Sequence, residues 1–274
     1  MFSLVINIVF GLPIMKVNEK IEKDCKESWC PALPQLVLDG RVLNYTIKRS
    51  GKASSLRITV DAVVGIQVTA PVKYKTEVIG RIMQDKSAWV LEKMDYLSAL
   101  AGCPLPRMFV DGEQFFFLGN RYTVKLHIND QIMVDTIKIN DQTMFIEVPL
   151  ALHQEGGAAA VRAALVKWYK NKANYILNNR INLYKEVIGV KPAKIRIKEQ
   201  KHRWGSCSGK GNLNFNWHLV MAPVNVIDYV IVHELCHLKR LDHSPAFWGL
   251  VEAVLPDYQI RRRWLKRYSP VLTF

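Results

Sequence analysis

Acidic residues and cysteines are both in short supply in this chain, and each shortage narrows what it can be. Only 24 Asp and Glu stand against 38 Lys and Arg, a formal net charge of +14. Five cysteines, an odd number at Cys25, Cys30, Cys103, Cys207 and Cys236, do not suggest a disulfide framework, and a reducing compartment is the simpler reading. Cys25 and Cys30 are too isolated to build a four-ligand zinc site. Long apolar runs are missing as well. The opening fifteen residues, MFSLVINIVFGLPIM, are apolar but too short to span a bilayer. They also lack the basic start and small-residue cleavage site of a secretory signal. Met15 is therefore expected to be the natural start, or the extension a dispensable arm, and the protein to be cytoplasmic with no membrane association. No fixed-period repeat and no low-complexity tract are visible. What remains, 49% apolar and 23% charged, is the composition of a globular protein able to bury a full core.

The informative residues lie late in the chain. Residues 233–237 read His-Glu-Leu-Cys-His, with His243 six positions on. On a helix, residues i and i+4 share a face, so His233 and His237 can reach one metal ion without bending the backbone. Glu234 then projects near the open side of that ion, where a carboxylate can take a proton from water; this is the HExxH arrangement of zinc hydrolases. A chance match in a chain of this length is roughly a one-in-a-hundred event. Pro223 opens the segment as a first-turn proline, and from Val224 to about Arg240 apolar residues occupy most of the circumference, as in a core helix. His233, Glu234 and His237 are its polar minority, and buried polar groups need partners. Cys236 faces away from them, and Cys207 reads as a buried strand residue. For the third ligand, His243 is preferred and Glu252 is the rival. His243 precedes Ser244-Pro245, a cap and first turn for a second helix to about Leu255. Its distance from His237 matches HExxHxxGxxH proteases, but Arg240 occupies the glycine position and no methionine follows Met221.

Earlier segments read as a β-rich portion. Strand-type alternation runs through Val42, Tyr45, Ile47, Leu56, Ile58, Val60, Ile66 and Val68, followed by a helix over Thr76–Leu100. A second β-block spans Phe109–Val148. Gly156-Gly157 releases a long helix, about Ala159–Val187, with Val161, Leu165, Trp168, Ile176 and Leu183 as its apolar stripe and Trp168, Tyr169 and Tyr175 as packing contacts. Ile195–Ile197, Trp204–Cys207 and Leu213–Trp217 read as strands. A hairpin there could offer an edge for an extended substrate or be purely structural, with Trp204 and Trp217 as core plugs. His202 and His218 flank it as surface or supporting residues. The division expected is a leader at 1–34, a β-rich portion at 35–150 and a catalytic portion at 151–274.

The run Arg203-Trp204-Gly205-Ser206-Cys207-Ser208, Asn212-Leu213-Asn214-Phe215-Asn216-Trp217, Met221-Ala222-Pro223, Asp228-Tyr229-Val230 and His233–His237 resembles the YgjP-like metallopeptidase family, and more distantly SprT-like proteases. The similarity extends from about Leu36 to Tyr268. It implies an α+β fold with a zincin-like core, the HExxH helix beside a small β-sheet. It further implies one Zn2+ on His233, His237 and His243, with Glu234 as catalytic residue and a peptide or protein substrate. Arg203 and His218 are weak candidates for an oxyanion donor. Two other classes stay open: a nucleic-acid-associated protein on an inert zincin scaffold, and a non-peptidase amidohydrolase. From residue 155 onward, 20 Lys and Arg face 8 Asp and Glu, so the positive charge concentrates in the catalytic half. The cluster Arg261-Arg262-Arg263, Lys266 and Arg267, interleaved with Trp264 and Tyr268, could attract DNA or be a plain solvated face.

Overall fold

The computed structural model describes residues 34–38, 41–103, 105–200 and 202–274. The expected leader lies outside them, except for Pro34. The chain's own contacts divide it between Arg107 and Met108 into two compact units.

The first unit is a four-stranded sheet followed by two helices. Strands β1 (Gln35–Leu38), β2 (Arg41–Ser50), β3 (Arg57–Asp61) and β4 (Gly65–Pro71) lie in the order β1-β2-β4-β3. β2 and β4 run parallel and the other pairs antiparallel. Strand β4 sits inside the sheet, and its Ile66, Val68 and Ala70 are buried. The β3–β4 turn is closed by Asp61, whose carboxylate accepts the Val63 and Val64 N–H groups at 2.7 and 3.0 Å. Helix α1 (Thr76–Asp85) buries Ile79 and Met83, and α2 (Ser87–Ala101) buries Val90, Leu91, Met94 and Leu97. The single helix read over 76–100 is thus two, interrupted where Lys86 leaves the helical region at φ −102°, ψ 6°.

The second unit opens with a sheet of the same plan. Strands β5 (Gln114–Phe117), β6 (Asn120–Asn129), β7 (Thr136–Asn140) and β8 (Thr143–Pro149) lie in the order β5-β6-β8-β7, with β6 and β8 parallel. β2 and β6 are both ten residues long and share one burial pattern. The chain therefore carries a repeat of topology that no letter-by-letter period reveals. A strand needs only apolar residues at alternate positions, so Tyr45 in one sheet and Val124 in the other fill corresponding places without resembling each other.

Helices α3 (Leu150–Gly156) and α4 (Ala158–Ile188) follow. The buried line of α4 runs Val161, Leu165, Tyr169, Ala173, Leu177, Ile181. Each four-residue step overshoots a full turn by about 40°, so the line winds slowly around the helix. The stripe expected from sequence misses this drift: Leu183 and Tyr175 are exposed. Next come β9 (Lys194–Lys198), β10 (Gly205–Cys207) and β11 (Asn212–Asn216), a three-stranded sheet in the order β10-β11-β9. β10 and β11 form an antiparallel hairpin, and β9 pairs parallel to β11. A 3-10 turn, Trp217–Met221, leads into α5 (Val224–Cys236), α6 (Pro245–Val254) and α7 (Tyr258–Tyr268). No helix among the described residues is long and apolar enough to cross a membrane.

The second β-block belongs with the helices, not with the first sheet, because its β5–β6 turn is pinned ahead of α5. Leu118 and Gly119 donate their N–H groups to the carbonyls of Val220 and Met221 at 2.8 and 3.1 Å. Gly119 has φ +84°, and a Cβ there would lie 2.6 Å from Pro223 Cγ. Tyr169 of α4 donates its hydroxyl to the Phe116 carbonyl at 2.6 Å. These ties carry the unit boundary back to Arg107, whereas the sequence reading puts a boundary at 150.

Candidate metal centre

Helix α5 is buried from Val226 to Cys236. A helix enclosed on all sides cannot rotate to spare its polar residues, so its register has to be fixed by partners. Asp228 supplies one: Arg180 of α4 donates to both carboxylate oxygens at 2.6 Å each, and the Tyr184 hydroxyl donates at 3.1 Å. With α5 held in this register, His233, Glu234 and His237 share a face.

The three imidazoles converge. His233 Nε2 lies 3.2 Å from His237 Nε2 and 3.2 Å from His243 Nε2. At a tetrahedral ion with metal–nitrogen distances near 2.0–2.1 Å, ligand nitrogens sit about 3.3–3.4 Å apart, so the residues fit such an ion. The rings are also oriented for it. His237 Nδ1 lies 2.9 Å from the Arg240 carbonyl, which can only accept, so Nδ1 carries the proton and the Nε2 lone pair faces the cluster. Phe247 of α6, fully buried, stacks on the His237 ring at 4.4 Å and 21° and lies 5.0 Å from both other imidazoles. The loop carrying His243 is held by Asp242, which accepts from the Ser244 N–H and hydroxyl at 3.2 and 2.7 Å. Ser244 precedes α6 as expected, but its hydroxyl serves this loop and caps no helix N–H. Glu252 is exposed on α6 and outside the cluster.

All three imidazoles are held below their ordinary pKa, chiefly by burial; neighbouring imidazoles add to this at His233 and His237, and the Arg262 charge at His233 and His243. Neutral imidazoles are the ligating form. Glu234 is shifted the other way. Burial pushes its carboxyl up to about 8, opposed by the nearby Arg203 charge. Among the described residues neither of its oxygens has a hydrogen-bond partner, and the His233 Nδ1 and the Tyr229 hydroxyl are similarly buried and unpaired. Buried polar atoms are seldom left so, and here they gather around one site.

Gly205 of β10 forms the opposite wall. A Cβ on it would stand 2.6 Å from Glu234 Cγ and 2.7 Å from Oε1. A glycine inside a strand signals close approach of another group, and that is the one sequence cue that could have found it; nothing in the spacing points to Phe247. β10 is an edge strand. Trp204, just before it, is anchored by its indole N–H donating to Ser269 Oγ at 2.9 Å. Cys207 is buried on β10, its thiol pushed up to about 11 by burial and by Glu234. His202 is exposed. His218 is buried against Trp217, its ring 3.6 Å away; burial and the charges of Arg162 and Lys170 on α4 hold it down to about 3. Neither belongs to the imidazole cluster.

A UTP pyrophosphatase from Escherichia coli (strain K12) is 30% identical over 103 residues, covering 36% of this chain and 58% of that protein. The chain thus matches somewhat over half the length of that relative. The crystal structure of the metallopeptidase zymogen abylysin from Pyrococcus abyssi is 24% identical and covers 34% of this chain and 95% of that one, at a TM-score of 0.31. The YgjP-like metallopeptidase domain matches residues 54–268. With most of its length so matched, the chain belongs to the YgjP-like metallopeptidase domain family, a class of metal-dependent hydrolases.

Proposed function

We propose that the protein is a zinc-dependent peptidase with a zincin-like core, in which His233, His237 and His243 hold one ion and Glu234 is the general base. The observation that carries this reading is the Glu234 carboxyl: fully buried, unpaired on both oxygens among the described residues, and walled in by Gly205 beside three convergent imidazoles. A structural site needs no carboxylate there and is closed by four protein ligands. When bound, the ion supplies Lewis-acid polarisation of water and of a scissile carbonyl. Glu234 takes the proton from that water and returns it to the leaving amine. Edge strand β10 supports the substrate role. Ser206 lies opposite Asn214 in the hairpin, and the Asn216 N–H donates to the Trp204 carbonyl. By the alternation of an antiparallel ladder, Gly205 and Cys207 turn their backbone groups to the open edge, where an extended peptide can add as a strand.

A second reading keeps the same site and changes the bond. The relative named UTP pyrophosphatase favours hydrolysis of a phosphoanhydride, for which the Arg203 and Arg262 charges around the site are suited. The comparisons lend no support to DNA association through the basic C-terminal half. The test has three parts: metal analysis, a broad protein digest, and UTP turnover, each run with and without chelator. Glu234→Gln is expected to keep one zinc per chain while losing hydrolysis by at least about a hundredfold, the usual span of general-base catalysis. Turnover unchanged in that variant removes Glu234 from the mechanism.

A further inference from the structure

Helix α7 carries three consecutive arginines, and they are employed differently. Arg261 is committed to structure: it pairs with Asp257 at 2.8 Å and donates to the Asn225 carbonyl at 2.9 Å. Arg262 has no ion pair among the described residues. Its guanidinium lies 5.1 Å from the centre of the Trp248 ring, and that ring is 5.6 Å from His233 and 5.8 Å from His243. Trp248 in turn stacks on Tyr258 at 5.2 Å and 14°, and Tyr258 on Tyr229 at 6.5 Å and 22°. The stack runs from the core to the surface beside the imidazoles. At its inner end is the buried, unpaired Tyr229 hydroxyl; at its outer end is an exposed cation. Trp248 also packs against Phe247 at 5.2 Å, the ring stacked on His237, so the aromatic seat of that cation adjoins all three imidazoles. A planar guanidinium resting on an aromatic face keeps its N–H edge free for a planar or tetrahedral anion.

We propose that Arg262, seated on Trp248, binds an anionic group of the substrate beside the three-histidine cluster and so sets specificity for substrates carrying a negative charge close to the scissile bond. This rests on the function proposed above and narrows it. A peptide carboxylate and a phosphate chain present the same chemistry to Arg262. Because a bound divalent ion attracts anions by itself, the test has to separate the two cations.

The experiment measures binding by calorimetry to zinc-loaded Glu234→Gln protein, with residue 262 as Arg, Lys or Met. The probes are pyrophosphate, an N-acetylated dipeptide with a free carboxylate, the same dipeptide as its amide, and uncharged acetohydroxamate, which chelates metal without needing a cation nearby. Arg262→Met is expected to weaken an anionic probe about tenfold, the scale of one charge-assisted hydrogen-bonded contact. Acetohydroxamate and the amide should bind as before, and Lys should recover part of the loss. Weakening confined to pyrophosphate assigns a phosphate chain, and weakening confined to the free dipeptide assigns a peptide carboxylate; either supports the inference. Equal affinity of both anions across the three proteins overturns it, as does a parallel loss of acetohydroxamate. Zinc content and melting temperature are read on every sample. Folded protein that takes up no zinc overturns the proposed function itself. Zinc-loaded protein indifferent to residue 262 overturns only this inference.

Discussion

At the scale of single residues, the site turns on a glycine facing a glutamate. Gly205 contributes nothing polar from its side chain, yet the Glu234 carboxyl occupies the space where any other residue would begin. The contact is to Cγ and Oε1, close to the working end of the side chain, and β10 is itself backbone-paired to β11. Glu234 would therefore have to swing. Gly205→Ala is expected to fold, with a stability loss of about 1–3 kcal/mol from overpacking. Activity should fall about a hundredfold, because an ångström of misplacement at a general base has that effect. Zinc content should hold, since the atoms nearest a Cβ at Gly205 belong to Glu234 and not to an imidazole. Steady-state rates and metal analysis on the same preparation check both halves; normal rates would mean that Glu234 need not occupy its present position.

At the scale of elements, α5 depends on one charged anchor. Apart from the site residues His233 and Glu234, most of its buried surface is apolar, which buries it firmly but gives little preference for one rotation over another. The Arg180–Asp228 pair, with Tyr184 on the same carboxylate, supplies that preference by tying α5 to α4. Asp228 is buried, while the Arg180 side chain is 30% exposed. Water can thus take over part of what Arg180 loses when the carboxylate goes. Asp228→Asn is expected to lower stability by about 1.5–3 kcal/mol, the range for hydrogen bonds to charged groups. It should also weaken zinc affinity, because the helix carrying His233 and His237 is held less firmly. Urea titration and competition with a chromophoric chelator would test these effects separately. A stability loss with zinc affinity unchanged would make the anchor purely structural.

At the scale of the whole molecule, burial of histidine links stability to pH. His218 is held down to about 3 from an ordinary value of 6.5. Above 6.5 it is neutral in both folded and unfolded chains and contributes no pH dependence. Below 6.5 the unfolded chain binds a proton that the folded one refuses, so stability falls as pH drops from 6.5 toward 3. The imidazoles of the metal cluster shift in the same direction, so the effect of His218 has to be isolated by variant. In chelator-treated protein, His218→Gln is expected to flatten the decline of the urea midpoint over that window. An identical decline in the variant would show that the other buried groups account for it. The two sheets of identical strand order show a second molecular-scale property. They obey the same topology with unrelated residues, because topology is set by alternation and turn geometry, not by particular side chains.

The sequence by itself determined the candidate ligands His233 and His237 and the helix that bears them. A spacing of four on a continuous apolar pattern is a local property, and His233, Glu234 and His237 follow from it. His243 was legible as a candidate because the connection to α6 is short. What the tertiary structure decided was every contact between segments distant along the chain. It placed His243, and not the exposed Glu252, against the other imidazoles. It brought β10 against Glu234, Phe247 beneath the rings and Arg262 onto Trp248, and it set the unit boundary at Arg107 through the docking of the β5–β6 turn ahead of α5. Periodicity along a chain reports which face of an element is buried. It carries no information about which other element covers that face, and the walls of this site are made by such covering.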